Sequence, residues 1–358
     1  MNTAVVILNW NGKKFLEKFL PMVIELSKND ASVIIADNAS SDDSIDYLET
    51  HHPDIRIIHL EKNWGFAGGY NQALREINAD YYILLNSDIE VTENWIPPII
   101  KMMEEDLTIA ACQPKIRSYQ EKEKFEYAGA AGGFIDKYGY PFCQGRLFQS
   151  IETDTGQYDQ PKEIFWATGA CMFVRASVFH ELGGFDDDFF AHMEEIDFCW
   201  RAKNEGHRIM YCPGSTIFHI GGGTLPRKNS RKTYLNIRNN IIMLIKNLES
   251  ERLVKVLAAR IILDYVAAIK FLIDGGFRDM TAVLKAHYYI FSNLGRLRKK
   301  REKIAHTRVS QIYWGNIVLR HYVARKETFQ QLDPGRFTGN PQGSLLQPAG
   351  TPPVQNRR

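Results

Sequence analysis

Four short apolar runs near the start of the chain each end on a polar residue, and nothing else in the sequence constrains the fold as tightly. The runs are Ala4–Leu8, Val33–Ala36, Ile55–Leu60 and Tyr81–Leu85. Asn9, Asp37, Asn63 and Asn86-Ser87-Asp88 follow them. Between the runs, Phe15–Ser27, a stretch opening at Ser40-Ser41-Asp42 with Ile45, Tyr47 and Leu48, and Ala67–Ile77 repeat apolar residues at helical spacing. Continuous apolar strands separated by amphipathic helices predict an α/β fold, a mostly parallel sheet with helices on both faces. Such sheets bind ligands beyond the carboxyl ends of their strands. Asn9, Asp37, Asn63 and Asp88 all fall on that edge.

The chain has 358 residues, enough for one large domain with an appendage or for two. A hydrophobic fraction of 44% and a mean hydropathy of −0.29 exclude global disorder and a polytopic membrane protein. The first residues read as a strand and carry no basic leader. Five cysteines without a CxxC pair argue against zinc-knuckle and thioredoxin chemistry and predict reduced, buried thiols in a cytosolic setting.

The net charge of +2 conceals a division. Residues 226–358 carry 25 basic and 8 acidic side chains, +17, and residues 1–225 carry 19 and 34, −15. The split predicts a basic surface for nucleic acid, anionic lipid or a polyanionic substrate. The middle of the chain reads as mixed: helices at Trp95–Glu104 and Phe190–Asn204, a strand at Ile109–Ile116, an apolar stretch at Ile164–Val174 and loops across 117–162. Segments 230–248, 251–273 and 278–300 are helical. The reading gives a catalytic unit over 1–225, a basic helical region over 226–330 and a disordered tail over 331–358, rich in Gly, Pro and Gln.

Several residues carry chemistry in this pattern. Asp88, after a strand, can ligate a hard cation or simply open a turn. Asp37 can accept from a base N–H or a ribose hydroxyl; the turn-and-cap alternative is served by Ser40, Ser41 or Asp42 without it. The stretch Asn63-Trp64-Gly65-Phe66-Ala67-Gly68-Gly69-Tyr70-Asn71 opens a helix with glycines and allows backbone approach to phosphate, yet it is not GxGxxG and follows the third strand, which argues against a dinucleotide-binding dehydrogenase. Glu194, Glu195 and Asp197 lie within one helical turn, where mutual repulsion can raise the pKa of a general base; a solvated helix start is the plainer reading. His219 precedes Gly221-Gly222-Gly223-Thr224 and can complete a metal site, touch a diphosphate or serve packing alone. His51, His52, His180, His192 and His207 show no ligand spacing.

Taken in order, these motifs resemble a family 2 glycosyltransferase of the bacterial rhamnosyltransferase-like branch. The resemblance runs through Val5–Gly12, Asp37–Asp42, Asn63–Gly69, Leu84–Asp88, Gly169–Met172, Gly183–Asp186 with Glu194–Asp197, and His219, covering about residues 3–245. It implies a GT-A fold, a nucleoside-diphosphate sugar donor, Mg2+ or Mn2+, and inversion at the anomeric carbon. It implies donor contacts at Asn9, Asn11, Asp37, Asn38, Asn63, Gly68, Asn71, Asn86, Ser87 and Arg238, the last beside Tyr234, Asn239 and Asn240. Asp88 takes the place of the metal-binding acid, with Asn86 where the family's motif has its first acid, and His219 that of a metal-completing histidine. Glu195 stands where the family's base is Asp, with Glu194 as the rival acid.

The expected activity is transfer of a hexose, rhamnose among the candidates, to a glycan or lipid-linked acceptor in cell-surface polysaccharide assembly. A nucleotidyltransferase lacks its basic Gly-rich loop here. A catalytically silent sugar-nucleotide-binding protein would be separated by donor turnover. No nucleic-acid-binding motif accompanies the basic half. Leu253–Ile273 is too interrupted by Lys255, Arg260, Asp264 and Lys270 to span a membrane. With the cations of Arg296–Lys303 it predicts peripheral attachment to an anionic membrane on the cytoplasmic side, with packing inside the protein or a homodimer as the alternative.

Overall fold

The alternation inside β1 (Thr3–Asn9) explains why the runs are continuously apolar. Ala4 and Val6 enter one hydrophobic core, Val5 and Ile7 another, and none is more than 2% exposed. A strand covered on both faces has no side on which polar residues pay no penalty. The structure, a computed structural model, describes residues 2–221 and 229–339. After β1 come α1 (Lys13–Ser27), β2 (Ser32–Asp37), α2 (Ser44–His51), β3 (Arg56–His59), α3 (Gly65–Leu74) and β4 (Tyr81–Leu85). The chain continues through β5 (Ile89–Val91), α4 (Pro97–Glu105) and β6 (Ile109–Ser118). Short strands β7 (Gly133–Asp136), β8 (Pro141–Cys143), β9 (Arg146–Leu147) and β10 (Ser150–Ile151) precede β11 (Lys162–Ile164), β12 (Cys171–Arg175), α5 (Ala176–Glu181), α6 (Glu194–Asn204) and β13 (Arg208–His219).

The main sheet runs β11-β13-β6-β12-β4-β1-β2-β3, with β5 on the end of β13. Strands β3, β2, β1 and β4 are parallel, and their register sets Asn9 beside Asp37 and Asp37 beside His59. Beyond β4 the sheet is mixed: β12 runs antiparallel to β4 and β6, while β6 and β13 are parallel. Leu16 and Leu20 of α1, Leu48 of α2 and Ile99 of α4 cover one face; Tyr70 of α3, Phe179 of α5 and Phe198 of α6 cover the other. The expected α/β sheet with helices on both faces is present. All five cysteines are buried and free.

The basic region forms α7 (Ser230–Asn247), α8 (Ser250–Ile273), α9 (Phe277–Ser292) and α10 (Leu294–Arg301), followed by β14 (Ile312–Tyr313) and α11 (Ile317–Tyr322). β14 pairs in parallel with β7 and completes a second sheet, β10-β9-β8-β7-β14. Phe329 and Phe337 pack on Phe134 at 5.0 and 5.4 Å between ring centres. The segment expected to begin a disordered tail at 331 is therefore folded as far as Gly339, with Leu332 and Phe337 buried. The aromatic side chains of 313–337 supply the burial that the Gly, Pro and Gln content hid. The rest of that expected tail, 340–358, and Gly222, Gly223 and Thr224 lie outside the described residues.

Candidate active site

Asn9 closes β1 fully buried. Its Nδ2 donates to Asp37 Oδ1 at 3.1 Å and Ser40 Oγ at 3.0 Å, and its own Oδ1 is buried without a partner. Asp37 Oδ2 accepts the Ser40 N–H at 3.0 Å. Asn11, at φ 53, accepts the N–H groups of Ser41 and Asp42 at 2.7 and 3.3 Å. Ser40–Asp42, expected to start a helix, is instead a loop tied to the ends of β1 and β2. α2 opens at Ser44, where Asp42 Oδ1 accepts the Ser44 N–H at 3.1 Å. Each Asp37 oxygen keeps a free lone pair at the strand edge.

Asn38 and Asn63 fix the neighbouring turn. Asn38 Nδ2 donates to Asn63 Oδ1 and to the Gly65 carbonyl at 3.2 and 3.0 Å, while its Oδ1 accepts the Trp64 N–H at 2.9 Å. Asn71 donates to the Phe185 carbonyl and Asp187 Oδ1 at 2.8 and 2.6 Å and accepts the Phe185 N–H at 2.9 Å. Three residues expected to contact a donor thus hold backbone in place. Gly68 is a spacer: a Cβ there would stand 3.0 Å from Trp64 Cβ.

β4 delivers Asn86, Ser87 and Asp88, the first two half-buried and the third buried. β5 pairs antiparallel with the end of β13 and sets His219 in register with Ile89. His219 Nε2 therefore meets Asp88 Oδ1 at 3.1 Å across 131 residues of sequence. Its Nδ1 faces Glu126 Oε2, also at 3.1 Å, an ion-pair distance with a bent approach rather than an aligned hydrogen bond. Burial disfavours a charged imidazole, but the two carboxylates outweigh it and raise His219 to about 10. For Asp88, burial is likewise outweighed, by His219 and by the N–H groups of Asp88 and Gly221, and its carboxyl sits below the usual range. Glu126, in a loop with no periodic signal, was not legible in the sequence.

This pair fits a hard divalent cation. Two adjacent ligands of an octahedral ion at about 2.1 Å lie about 3 Å apart. Asp88 Oδ1 and His219 Nε2 have that separation. Among the described residues no three His, Cys, Asp or Glu side chains form a cage. The remaining positions would fall to phosphate oxygens and water, the usual arrangement for a cation that serves a phosphorylated ligand.

The acids expected at one helical turn separate. Asp197 turns inward, accepting from Arg201 Nε, Lys246 Nζ and Asn247 Nδ2 at 2.9, 2.8 and 2.8 Å. Glu194 and Glu195 each keep one buried carboxylate oxygen without a partner. Burial, then the charge of Glu195, pushes Glu194 well above the ordinary carboxylate range. Burial raises Glu195 to about 7 against the pull of the N–H groups of Glu195, Ile196 and Met193 at the helix start. His192, set aside in the sequence, has a buried, unpartnered Nε2, and burial followed by the charge of Lys232 lowers it to about 4.

The helix expected from Phe190 begins only at Glu194, because Phe190, His192 and Met193 stand at φ 61, 70 and 73. α7 holds that strained loop. Asn239 Nδ2 lies 2.9, 2.9 and 2.7 Å from the carbonyls of Phe189, Ala191 and His192. Arg238 Nη2 donates to those of Asp188 and Phe189 at 2.6 and 3.2 Å. Arg238, expected as a donor contact, braces the loop through Nη2, while its Nε donates to Asn239 Oδ1 at 2.9 Å. Lys246 and Lys300 meet Asp186 at 2.7 and 2.5 Å, and Lys300 and Arg296 meet Asp188, both at 2.6 Å. A separate cavity of about 780 Å³, lined by residues including Asp80, Tyr81, Arg175 and His180, lies at the opposite strand edge and shares no residue with this site.

An open α/β sheet with polar groups beyond its carboxyl ends, an acid after the fourth strand facing a histidine, and an acidic helix start defines a glycosyltransferase of GT-A fold. Solved structures of that fold resemble it. GalNAc-T7 with UDP, GalNAc and Mn2+ aligns at a TM-score of 0.57 and 16% identity over 85% of this chain and 54% of its own, so the present chain spans about half of it. Staphylococcus aureus TarS 1-349 with UDP-GlcNAc aligns at 0.53 and 13% identity, over 85% and 91%. The chain belongs to glycosyl transferase family 2, whose family model matches residues 4–183. A low-salt glycan biosynthesis hexosyltransferase of Haloferax volcanii is 25% identical over 67% of this chain and 74% of its own length. The N-acetylglucosaminyl-diphospho-decaprenol L-rhamnosyltransferase of Mycobacterium tuberculosis is 23% identical over 60% and 75%, and a dTDP-rhamnosyl transferase of Shigella flexneri 24% over 69% and 81%.

Proposed function

We propose that the chain moves a hexose, with L-rhamnose the first to test, from a nucleoside-diphosphate sugar to an acceptor hydroxyl with inversion, in cell-surface polysaccharide or lipid-linked glycan assembly. The relatives named as hexosyl- and rhamnosyltransferases support the reaction class. The observation that carries the mechanism is the buried Asp88–His219 pair at the strand edge. Asp88 and His219 would hold Mg2+ or Mn2+, which when bound neutralises charge on the leaving diphosphate. Asp37 accepts from the base or ribose. Glu195, ionising near neutrality, takes the proton of the acceptor hydroxyl. The acceptor oxygen bonds to the anomeric carbon as the opposite bond to the diphosphate breaks, so configuration inverts. Glu194, pushed well above the ordinary carboxylate range by burial and by its neighbour, is the weaker candidate for base.

The test is a panel of UDP-, dTDP- and GDP-sugars with and without Mn2+, comparing wild type with Asp88→Ala. Donor turnover that needs the cation and is lost in Asp88→Ala is expected. Turnover indifferent to chelation and to Asp88→Ala sinks the metal assignment.

Peripheral membrane attachment belongs to the same proposal. Among the described residues no helix is long and apolar enough to cross a membrane. What supports attachment is an exposed apolar surface on α8 and α9, with Ile262, Val266, Ile269, Ile273, Phe277 and Tyr288 each more than half exposed.

A further inference from the structure

Glu126 belongs to none of the motifs and to none of the roles above, yet its carboxylate is buried beside His219. Its position follows from the sheet. The last residues of β6 pair with the end of β13, so that Ser118 registers with His219. The chain after β6 turns back on it: Arg117 bridges Phe125, and the Glu126 N–H donates to the Ile116 carbonyl at 3.1 Å. Glu126 is thereby held on the far side of the imidazole from Asp88. Its Oε2 accepts the Ala128 N–H at 2.5 Å, which fixes the carboxylate, while Oε1 rests against Gly221. A Cβ at residue 221 would stand 2.5 Å from that oxygen, and Gly221 has φ +72, so glycine there is required twice over.

We infer that Glu126 is a positioning residue of the cation site: held on the far side of the imidazole, it orients His219 so that Nε2 stands beside Asp88 for the metal. The inference rests on the reading of Asp88 and His219 as metal ligands. A neutral imidazole has one N–H and one lone pair. Each ring nitrogen faces a carboxylate at 3.1 Å; with Nε2 given to a cation beside Asp88, the one proton of the neutral ring would be left to Nδ1, on the side of Glu126. A ligating histidine whose other nitrogen faces a carboxylate is also the more basic ligand. The charges agree with a divalent ion: two carboxylates around a neutral ring give −2.

The experiment measures binding of Mn2+ alone to the full chain through loss of the free-ion electron paramagnetic resonance signal, at one pH, with melting temperature recorded for each variant. Asp88→Ala and His219→Ala examine the metal reading itself. Glu126→Ala is expected to weaken Mn2+ binding by about 10–100-fold, the usual cost of losing a partner of a ligating histidine. Glu126→Gln, which keeps an acceptor oxygen, restores part of the loss. Because both residues act through one ring, Glu126→Ala adds nothing further in a His219→Ala background. A folded Glu126→Ala with wild-type affinity, or a full additive loss on top of His219→Ala, overturns the inference and leaves the Asp88–His219 site standing. If Glu126→Ala does not fold, Glu126→Gln decides, and affinity equal to wild type overturns the inference. Mn2+ binding that survives both Asp88→Ala and His219→Ala removes the metal reading and this inference with it.

Discussion

A carboxylate that is to act as a base near neutral pH must hold its proton less tightly than a fully buried acid and more tightly than a solvated one. Glu195 meets that condition because burial raises it to about 7 while the open N–H groups of the α6 start restrain the rise. The log of kcat/KM should therefore climb with pH up to about 7 and level above it. Glu195→Gln should keep donor binding and lower kcat by roughly 10²-fold or more, the scale of a positioned general base. A pH profile already flat from 5 upward, or a dead Glu194→Gln beside an active Glu195→Gln, would move the role. Glu194 carries a second prediction. Its carboxyl is raised well above 4.5 in the folded chain, so the stability linked to it is fully present below the unfolded value near 4.5 and is lost as pH rises. Glu194→Gln should raise the melting temperature by a few degrees at pH 8 and change it little at pH 5, as a thermal melt at both values would show. Asn9 and Asp37 directly follow apolar runs and Asp88 comes soon after one, so periodicity alone locates them at the strand edge. Glu126 escaped because it lies in an irregular stretch 93 residues from its partner, and the contacts of Arg238 with the loop carbonyls were hidden because adjacency to a site does not show which oxygens a guanidinium faces.

At the scale of elements, the loop before α6 is where the basic and acidic parts of the chain meet. Three left-handed residues in a row of four, none of them glycine, cost about 1–3 kcal/mol each and persist only when the surroundings impose them. The surroundings are α7, through Arg238, Asn239 and Lys246, and α10, through Lys300 and Arg296. Part of the charge division read from the sequence is thus an internal clamp, which the composition could not separate from a surface for partners. Asn239→Ala should free the carbonyls of Phe189, Ala191 and His192, let the start of α6 wander, and lower kcat by an expected order of 10-fold while donor KM stays near wild type. Steady-state kinetics on a protein of unchanged circular dichroism checks this, and a change confined to KM would put the loop on the donor side of the reaction. The expected helix at Phe190–Asn204 was four residues too long for the same reason: local propensity favours continuing the helix, and tertiary hydrogen bonds to α7 override it.

At the scale of the whole molecule, three of the six cations that made Arg296–Lys303 look like a membrane anchor are engaged within the protein. Arg296 and Lys300 hold Asp186 and Asp188, and Arg301 Nη1 donates to the carbonyls of Ile245 and Leu248 at 2.8 and 2.6 Å. Replacing them would damage the site rather than test a surface. The exposed cations nearby include Lys255, Arg278, Lys285, Arg298, Lys299 and Lys303. They accompany the apolar surface of α8 and α9, where Arg260, Asp264 and His287 form a buried polar link between the two helices, Arg260 Nη2 to Asp264 Oδ1 at 3.1 Å and His287 Nε2 to Asp264 Oδ2 at 3.3 Å. That link holds the two helices together without using the apolar side chains turned to solvent. Exposed apolar side chains gathered on two packed helices mark an interaction site. Flanking cations favour an anionic lipid surface, each worth roughly 1 kcal/mol near it before salt screening. The protein should float with vesicles containing phosphatidylglycerol at low salt and be released at high salt. Ile262→Ser with Val266→Ser and Ile269→Ser should abolish flotation and leave soluble-acceptor turnover intact, because none of the three touches the cleft. A wild-type protein that stays in the soluble fraction at low salt, and whose sedimentation shows a dimer that the triple variant dissociates, would give the same surface to a second copy of the chain instead.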